Sequence, residues 1–209
     1  LKSRGPMVDE SKRYEFYDVM LQDSDRLLHL IDQVLAAGRK GGVPFQQVRV
    51  DLKALTEECI TVTKSQRHLP DHALQMVAAP NEPVEVLGDP DHLRGAVLNL
   101  LDNAVKYSRE DVRVKVEVGK GDEDLAVIRV RDQGIGIPPN ETKRIFGRFY
   151  RTPWALTQRV KGTGLGLFIV AQTAKRHGGR AFAQSEGVGR GATFTLELPS
   201  APDARSLPL

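Results

Sequence analysis

Cysteine is nearly absent. Cys59 stands alone in a chain of 209 residues, which excludes an internal disulfide and agrees with a reducing compartment. It lies among apolar and polar residues of an expected helix, without a partner motif, and reads as a buried structural thiol. No run of about 18 apolar residues occurs, so no membrane span and no membrane contact are expected in these residues. No signal peptide opens them. Neither sign of charge dominates. A net charge of +3 with interspersed Lys/Arg and Asp/Glu leaves no basic arm for nucleic acid, and a solvated surface is the plain reading. An initiator methionine is also missing. The opening "LKSRGPMVDESKRYEF" reads as a helix end, a Gly-Pro loop and a new helix start, so the expectation is a piece of a larger protein. What is present is 40% apolar residues, enough for a packed core.

Periodicity divides the chain. Residues Asp9 to Arg39 read as one long helix, capped by Asp9 or Ser11 and stopped by Gly38, Gly41 and Gly42. Leu27, Leu28, Leu30, Ile31, Val34 and Leu35 cover one broad face. The narrower repeat Met20, Leu27, Ile31, Val34 is close to a bundle seam and asks for a partner helix. Beyond the linker "GRKGGVPF" the pattern changes. "QQVRVDL" alternates as a strand and Leu52 to Arg67 reads as a helix. "ALQMVAA" and "VEVLGD" read as a strand pair around "PNEP". Asp89-Pro90 starts a helix that runs to about Tyr107. "VRVKVEV" and "LAVIRVRD" are alternating strands, Gln133 to Gly162 is Gly-rich and irregular, and Leu165 to His177 is helical. "GRAFAQSE" and "GATFTLELP" form a last strand pair. The fold class is α+β: a two-layer sandwich, with a mixed sheet covered on one face by helices, preceded by one long helix. The expected boundaries are 1–42 for the long-helix unit, 46–199 for the sandwich, and a disordered tail over 200–209.

Three clusters carry chemistry. In "NLLDNAVKYS", Asn99, Asn103 and Lys106 share one helix face, away from Leu100, Leu101, Ala104 and Val105. Asn oxygens suit Mg²⁺ and Lys suits a phosphate; the plainer reading is an exposed polar stripe. In "RDQGIGIP", a strand ends in Asp132, and Gly134 and Gly136 permit close backbone approach to a ligand. A carboxylate there can accept a hydrogen bond from an exocyclic amine, although an Asp before a Gly turn is commonly just a turn. In "KGTGLGLFIV", Gly162, Gly164 and Gly166 lead straight into a helix whose bare amides make an anion site. A P-loop is excluded because Gly-Lys-Ser/Thr is missing at the helix start. A dinucleotide fingerprint is excluded because position 167 is Leu and "WALTQRVK" is no buried strand.

Taken in order, "NLLDNAVKYS", "DQGIGIP", "IFGRFYR" and "GTGLGL" resemble the asparagine, first glycine, phenylalanine and second glycine boxes of sensor histidine kinases. The resemblance covers Gln47 to Pro199, the catalytic ATP-binding domain. The helix Asp9–Arg39 resembles the second helix of that family's dimerisation and phosphoacceptor hairpin. It implies that Asn99 and Asn103 hold Mg²⁺ against ATP and that Lys106 reaches a phosphate. It further implies that Tyr107 flanks the adenine, that Asp132 reads its amine, and that Gly134 and Gly136 shape that pocket. Gly162, Thr163, Gly164, Leu165 and Gly166 would cradle the phosphates. Phe146 and Phe149 would anchor the hinge of a lid over 139–161, and Arg151 would contact the γ-phosphate. Gly147 departs from the family, which commonly has an acid there.

Hydrolytic ATPases that share this fold carry a water-activating Glu where this chain has Asn99, so transfer to a protein side chain is favoured over hydrolysis. Anti-sigma-factor kinases lack the preceding bundle helix. A nucleotide-binding adaptor without transfer is the alternative from another class. The family's acceptor is a His followed by an acid, Arg/Lys, Thr/Asn and Pro. None of His29, His68, His72, His92 and His177 has that context. His29 faces away from the apolar stripe, and His177 ends a helix where a protonated imidazole would suit the dipole. The acceptor is therefore expected upstream of Leu1. The resemblance also implies a response regulator as partner, a homodimer through the hairpin, and a cytoplasmic location.

Overall fold

Alternation and capping together explain why each segment folds as it does. A computed structural model describes residues 45–78, 83–108, 111–122, 124–157, 160 and 162–202. The chain divides after Pro44. The long helix expected over Asp9–Arg39, with His29, lies outside the described residues.

The first strand, β1 (Val48–Asp51), runs directly into helix α1 (Leu52–Arg67). Asp51 caps that helix by accepting from Lys53 N (2.8 Å) and Ala54 N (3.3 Å). α1 buries Leu52, Leu55, Thr56, Cys59, Ile60 and Thr63, a single helical stripe. It ends where His68 turns left-handed at φ 51. After β2 (Leu74–Ala78) and β3 (Glu85–Gly88) comes helix α2 (Pro90–Lys106). Its N-cap Asp89 accepts from Asp91 N (3.0 Å) and His92 N (3.1 Å), and Pro90 follows at the first helical position. α2 buries Leu93, Ala96, Val97, Leu100, Leu101 and Ala104 and so leaves Asn99, Asn103 and Lys106 off its core stripe.

Strands β4 (Val114–Lys120) and β5 (Leu125–Asp132) form an antiparallel pair. A 3-10 turn (Arg144–Phe146) and the short α3 (Pro153–Thr157) precede α4 (Gly166–Arg176), β6 (Arg180–Gln184) and β7 (Ala192–Pro199). The main sheet has the order β2-β4-β5-β7-β6. Only the β2–β4 pair is parallel, so the sheet is mixed. Val114, Val116, Val118, Ala126, Ile128, Val130, Phe194, Leu196 and Leu198 point into one core with the helices. The alternate residues Lys115, Arg129 and Arg131 are exposed on the other face. α2 packs between α1 and α4 over the covered face.

Two expectations need correction. "ALQMVAA" and "VEVLGD" do not pair with each other: β2 lies parallel to β4, whereas β3 lies antiparallel to β1 with Val48 opposite Gly88. Alternation marks a strand but not its partner, and sequential strands are neighbours only about two-thirds of the time. The chain after Pro199 is not free at once. Ser200 bridges to Val86 and donates to Asp124 O (2.8 Å), Ala201 N donates to Glu85 O (2.7 Å), and Arg49 Nη2 donates to Pro202 O (2.5 Å). The open edge of β3 offers backbone partners that composition does not reveal. Residues 203–209 lie outside the described set.

Candidate functional site

The polar face of α2 forms one wall. Asn99 Nδ2 donates to Gly95 O one turn back (2.8 Å), which turns Oδ1 outward. Asn103 and Lys106 follow on the same face and are half-buried. Burial lowers the Lys106 pKa. Asp102 opposes the shift, while Arg151 and Arg67 add to it. A partly desolvated ammonium gains from an anionic ligand, because the ligand replaces lost water with a full opposite charge.

The glycine loop ahead of α4 closes against that wall. A methyl group on Gly162 would run into Lys106 Nζ, and one on Gly166 would lie 2.9 Å from Asn99 Oδ1. Gly164 has φ +73 and abuts the backbone of Phe149 and Tyr150, so a Cβ there is excluded by both conformation and space. No side chain caps α4, so its first amides remain bare. Thr163 is half-buried within this loop. Leu165 is buried in the core, so only its backbone can face a ligand.

β5 delivers the third part. Asp132 is buried at the strand end, and its Oδ1 accepts from Gly134 N (2.8 Å) and Ala192 N (3.2 Å). Burial raises its pKa against the lowering effect of those donors. Tyr107, which caps the end of α2, has its carbonyl bonded by Ile135 N (3.1 Å) and pressed by Gly134. The end of the asparagine helix and the aspartate loop are therefore one unit. Gly136, at φ +70, has no room for a Cβ because Gly187 O occupies that space.

Several residues in this unit escape sequence reasoning. Ser185 Oγ accepts from Ile137 N (3.0 Å) and Gly187 N (3.2 Å) and donates to Gly191 O (2.6 Å). Gly189 N and Gly191 N donate back to Ile135 O (2.6 Å) and Gly134 O (3.2 Å). The segment "SEGVGRGA" thus buttresses the aspartate loop. Its glycines were visible, but their partners lie about fifty residues away in sequence.

The lid segment differs from expectation in two respects. Phe146 packs against the core, but Phe149, left-handed at φ 59, is 47% exposed. Only Phe146 anchors the hinge. The inverted backbone at Phe149 turns its ring to solvent, beside Arg148 at 5.1 Å. Arg151 does not reach free into the groove. Its Nη2 donates to the carbonyls of Ala155 (3.5 Å) and Val160, bracing α3. The hinge has an unforeseen acid: buried Glu141 accepts from the Tyr150 hydroxyl and pairs with Arg144 at 3.4 Å. Gly147 has an ordinary φ of −71, so its backbone does not demand glycine.

Another correction concerns His177. Its Nε2 accepts from Asp89 N (3.0 Å), its Nδ1 faces Thr173 O (2.8 Å), and burial lowers its pKa. An imidazole that accepts from a backbone amide is neutral, so it does not act as a cation on the helix dipole.

Among the described residues no group of three His, Cys, Asp or Glu could hold a metal. The carboxamide oxygens of Asn99 and Asn103 fit Mg²⁺ in a different way. This ion keeps several waters and uses few protein oxygens when phosphates complete its shell. Asn99 Oδ1 faces outward beside Gly166 and is free of the bond that Nδ2 makes to Gly95 O.

Comparison with known proteins bears on the family and the fold. Residues 88–202 match the family described as histidine kinase-, DNA gyrase B- and HSP90-like ATPases. The chain is 31% identical over 198 residues to the circadian input-output histidine kinase CikA of Synechococcus elongatus, covering 93% of this chain and 26% of that protein. It is 31% identical over 183 residues to the sensor histidine kinase WalK of Bacillus subtilis, covering 87% and 30%. The chain therefore spans under a third of these two relatives. Among solved structures, the mycobacterial sensor histidine kinase MprB superimposes with TM-score 0.63 at 31% identity, covering 75% of this chain and 99% of that one. Full-length ShkA in complex with AMPPNP superimposes with TM-score 0.69 at 28% identity, covering 96% and 41%. The chain belongs to the histidine kinase-, DNA gyrase B- and HSP90-like ATPase family, and it resembles the catalytic domain of sensor histidine kinases within it.

Proposed function

We propose that this chain binds Mg·ATP between α2 and the loop before α4 and transfers the γ-phosphoryl group to a histidine of a hairpin helix. The observation that carries the reading is the meeting of Gly162 with Lys106 and of Gly166 with Asn99. An asparagine oxygen, a lysine ammonium and bare helix amides converge there, a set suited to a phosphate and its cation. Asp132 accepts from the adenine amine through Oδ2, since Oδ1 is already held by two backbone amides. Tyr107 and Gly134 line the base. Lys106 and the amides of Gly164 to Gly166 hold the phosphates, while Asn99 and Asn103 supply oxygens to Mg²⁺. When bound, Mg²⁺ neutralises charge on the phosphate oxygens. Asn99 cannot deprotonate water, which favours transfer over hydrolysis: the imidazole nitrogen bonds to phosphorus as the β,γ-bridging P–O bond breaks and ADP leaves.

The parent protein in this reading is a dimeric, cytoplasmic signalling kinase. In the same reading the segment Asp9–Arg39, whose periodicity alone suggests a long helix, contributes to its bundle, and the phosphoryl group passes on to a response-regulator aspartate. Among the described residues no helix is long and apolar enough to cross a membrane. The chain with γ-labelled ATP and a separate acceptor hairpin should label the hairpin. The engagement of Arg151 by lid carbonyls favours a second reading, a binding module without transfer. Tight ATP binding with no label on the hairpin would select it, and steady phosphate release without an acceptor would select a hydrolase. Asn103→Ala should lose Mg·ATP affinity while keeping its far-ultraviolet spectrum.

A further inference from the structure

α2 and α4 pack against each other through a shared apolar core, and two close approaches bracket that contact. At one, Gly166 lies against Asn99. At the other, His177 just beyond α4 meets Asp89 just before α2, where the Asp89 amide donates to Nε2 at 3.0 Å. Gly166 and His177 are eleven positions apart; Asp89 and Asn99 are ten. At 1.5 Å per residue both spans are about 15–17 Å. The helices are thus antiparallel neighbours, with matched lengths between the two approaches. A slip at the His177 end would carry the glycine loop along the face of α2, away from Asn99 and Lys106.

The pin is closely fitted. The imidazole is buried, and a methyl group on Gly88 would run into it. The edge of Phe45 meets it at 4.9 Å, close to the point where the chain divides, and Arg176 lies over the Phe45 ring at 5.9 Å. Both ring nitrogens are committed. Nδ1 donates to Thr173 O at 2.8 Å, so Nε2 carries the lone pair that accepts from Asp89 N. The charged groups facing it are His92 and Asp89 at the start of α2 and Arg176 at the end of α4. Among the described residues β3 contributes Gly88, and the segment leading into β1 contributes the uncharged Phe45 ring.

We infer that His177 is a positioning residue for the nucleotide groove: as a neutral imidazole it pins α4 to α2 and sets the register in which Gly166 faces Asn99. Protonation places an N–H against the Asp89 N–H, two donors with no acceptor between them, and releases the pin. The burial that lowers the His177 pKa keeps the pin closed at neutral pH. The inference rests on the reading of the groove as the nucleotide site.

Calorimetric titration of the full chain with Mg²⁺ and a non-hydrolysable ATP analogue, at pH 7.5 and 5.5, tests it. His177→Gln keeps an acceptor oxygen for Asp89 N but takes up no proton. Its affinity should match the parent within about twofold at pH 7.5 and exceed the parent's at pH 5.5, the ratio growing as pH falls further. Titration of the nucleotide is common to both proteins and cancels in the ratio. His177→Ala should bind about tenfold more weakly at both pH values. Parallel pH profiles for the parent and His177→Gln would overturn the inference, as would a folded His177→Ala that binds like the parent. If His177→Ala does not fold, the glutamine comparison decides. Unchanged affinity in Asn103→Ala would instead sink the nucleotide reading itself, whatever the pH profiles.

Discussion

Replacing Gly166 by alanine separates binding from stability more sharply than any other single change. Gly166 opens α4, and an added Cβ would sit 2.9 Å from Asn99 Oδ1 and 3.5 Å from its Cγ. Alanine is a better helix former than glycine by at most about 1 kcal/mol, and less at a helix end. Against that gain, the Asn99 amide must yield a few tenths of an ångström. This strains its bond to Gly95 O, worth about 1 kcal/mol. The two effects nearly cancel, so the melting temperature of the nucleotide-free protein should change by no more than a few degrees. Binding should not be spared. The methyl group occupies the space between the first amide of α4 and the outward oxygen of Asn99, where phosphate and Mg²⁺ are proposed to meet. Loss of one such contact corresponds to about 1.4 kcal/mol or more, a tenfold weaker Kd. Thermal denaturation without ligand and calorimetric titration with Mg²⁺ and an ATP analogue read the two quantities separately. A folded Gly166→Ala protein that binds within twofold of the parent would refute the placement of phosphate against Asn99.

Four further outcomes follow from the environments of three residues. Asp132→Asn keeps the Oδ1 acceptor for Gly134 N and Ala192 N but can present an amide donor to the base, so ATP affinity should fall and preference should shift toward GTP in competition titrations. Because burial raises the Asp132 pKa, folding favours the neutral carboxyl relative to the unfolded chain; that contribution is full below 3.8 and is lost as pH rises through the folded pKa. Asp132→Asn should therefore raise ligand-free stability to urea at pH 7, and a lowered midpoint would contradict the sign. Burial pushes the Cys59 thiol up to about 11, so a thiol reagent at pH 8 should modify it only as fast as the protein opens; reaction at the rate of a free thiol would show that α1 does not bury it. Leu101 is fully buried in the stripe of α2, and Leu101→Ala should cost about 2–5 kcal/mol in urea unfolding.

Much of this architecture was legible because it is local. The stripe Leu93, Ala96, Val97, Leu100, Leu101 and Ala104, with Asp89-Pro90 before it, specifies an amphipathic helix and its start. That same stripe implies that Asn99, Asn103 and Lys106 share another face. Bare glycines before α4 likewise announce exposed amides. What was not legible concerns partners. β2 and β3 alternate alike, yet one joins the main sheet in parallel and the other pairs with β1. Ser185 is an ordinary serine in the sequence, and only the fold brings its hydroxyl to Ile137 and Gly191. Nor were the left-handed backbone of Phe149 and the bonds from Arg151 to two lid carbonyls legible from their motif.

The sequence by itself determined which residues could meet a nucleotide. Helical and strand periods place side chains on faces, and glycine and asparagine have chemistry that no folding event alters. Only the tertiary structure decided which faces meet. Loop closure and core packing bring Gly166 to Asn99, Gly162 to Lys106 and His177 to Asp89. Such contacts arise between segments far apart in the chain, where local propensity carries no information and burial of a common core selects the register.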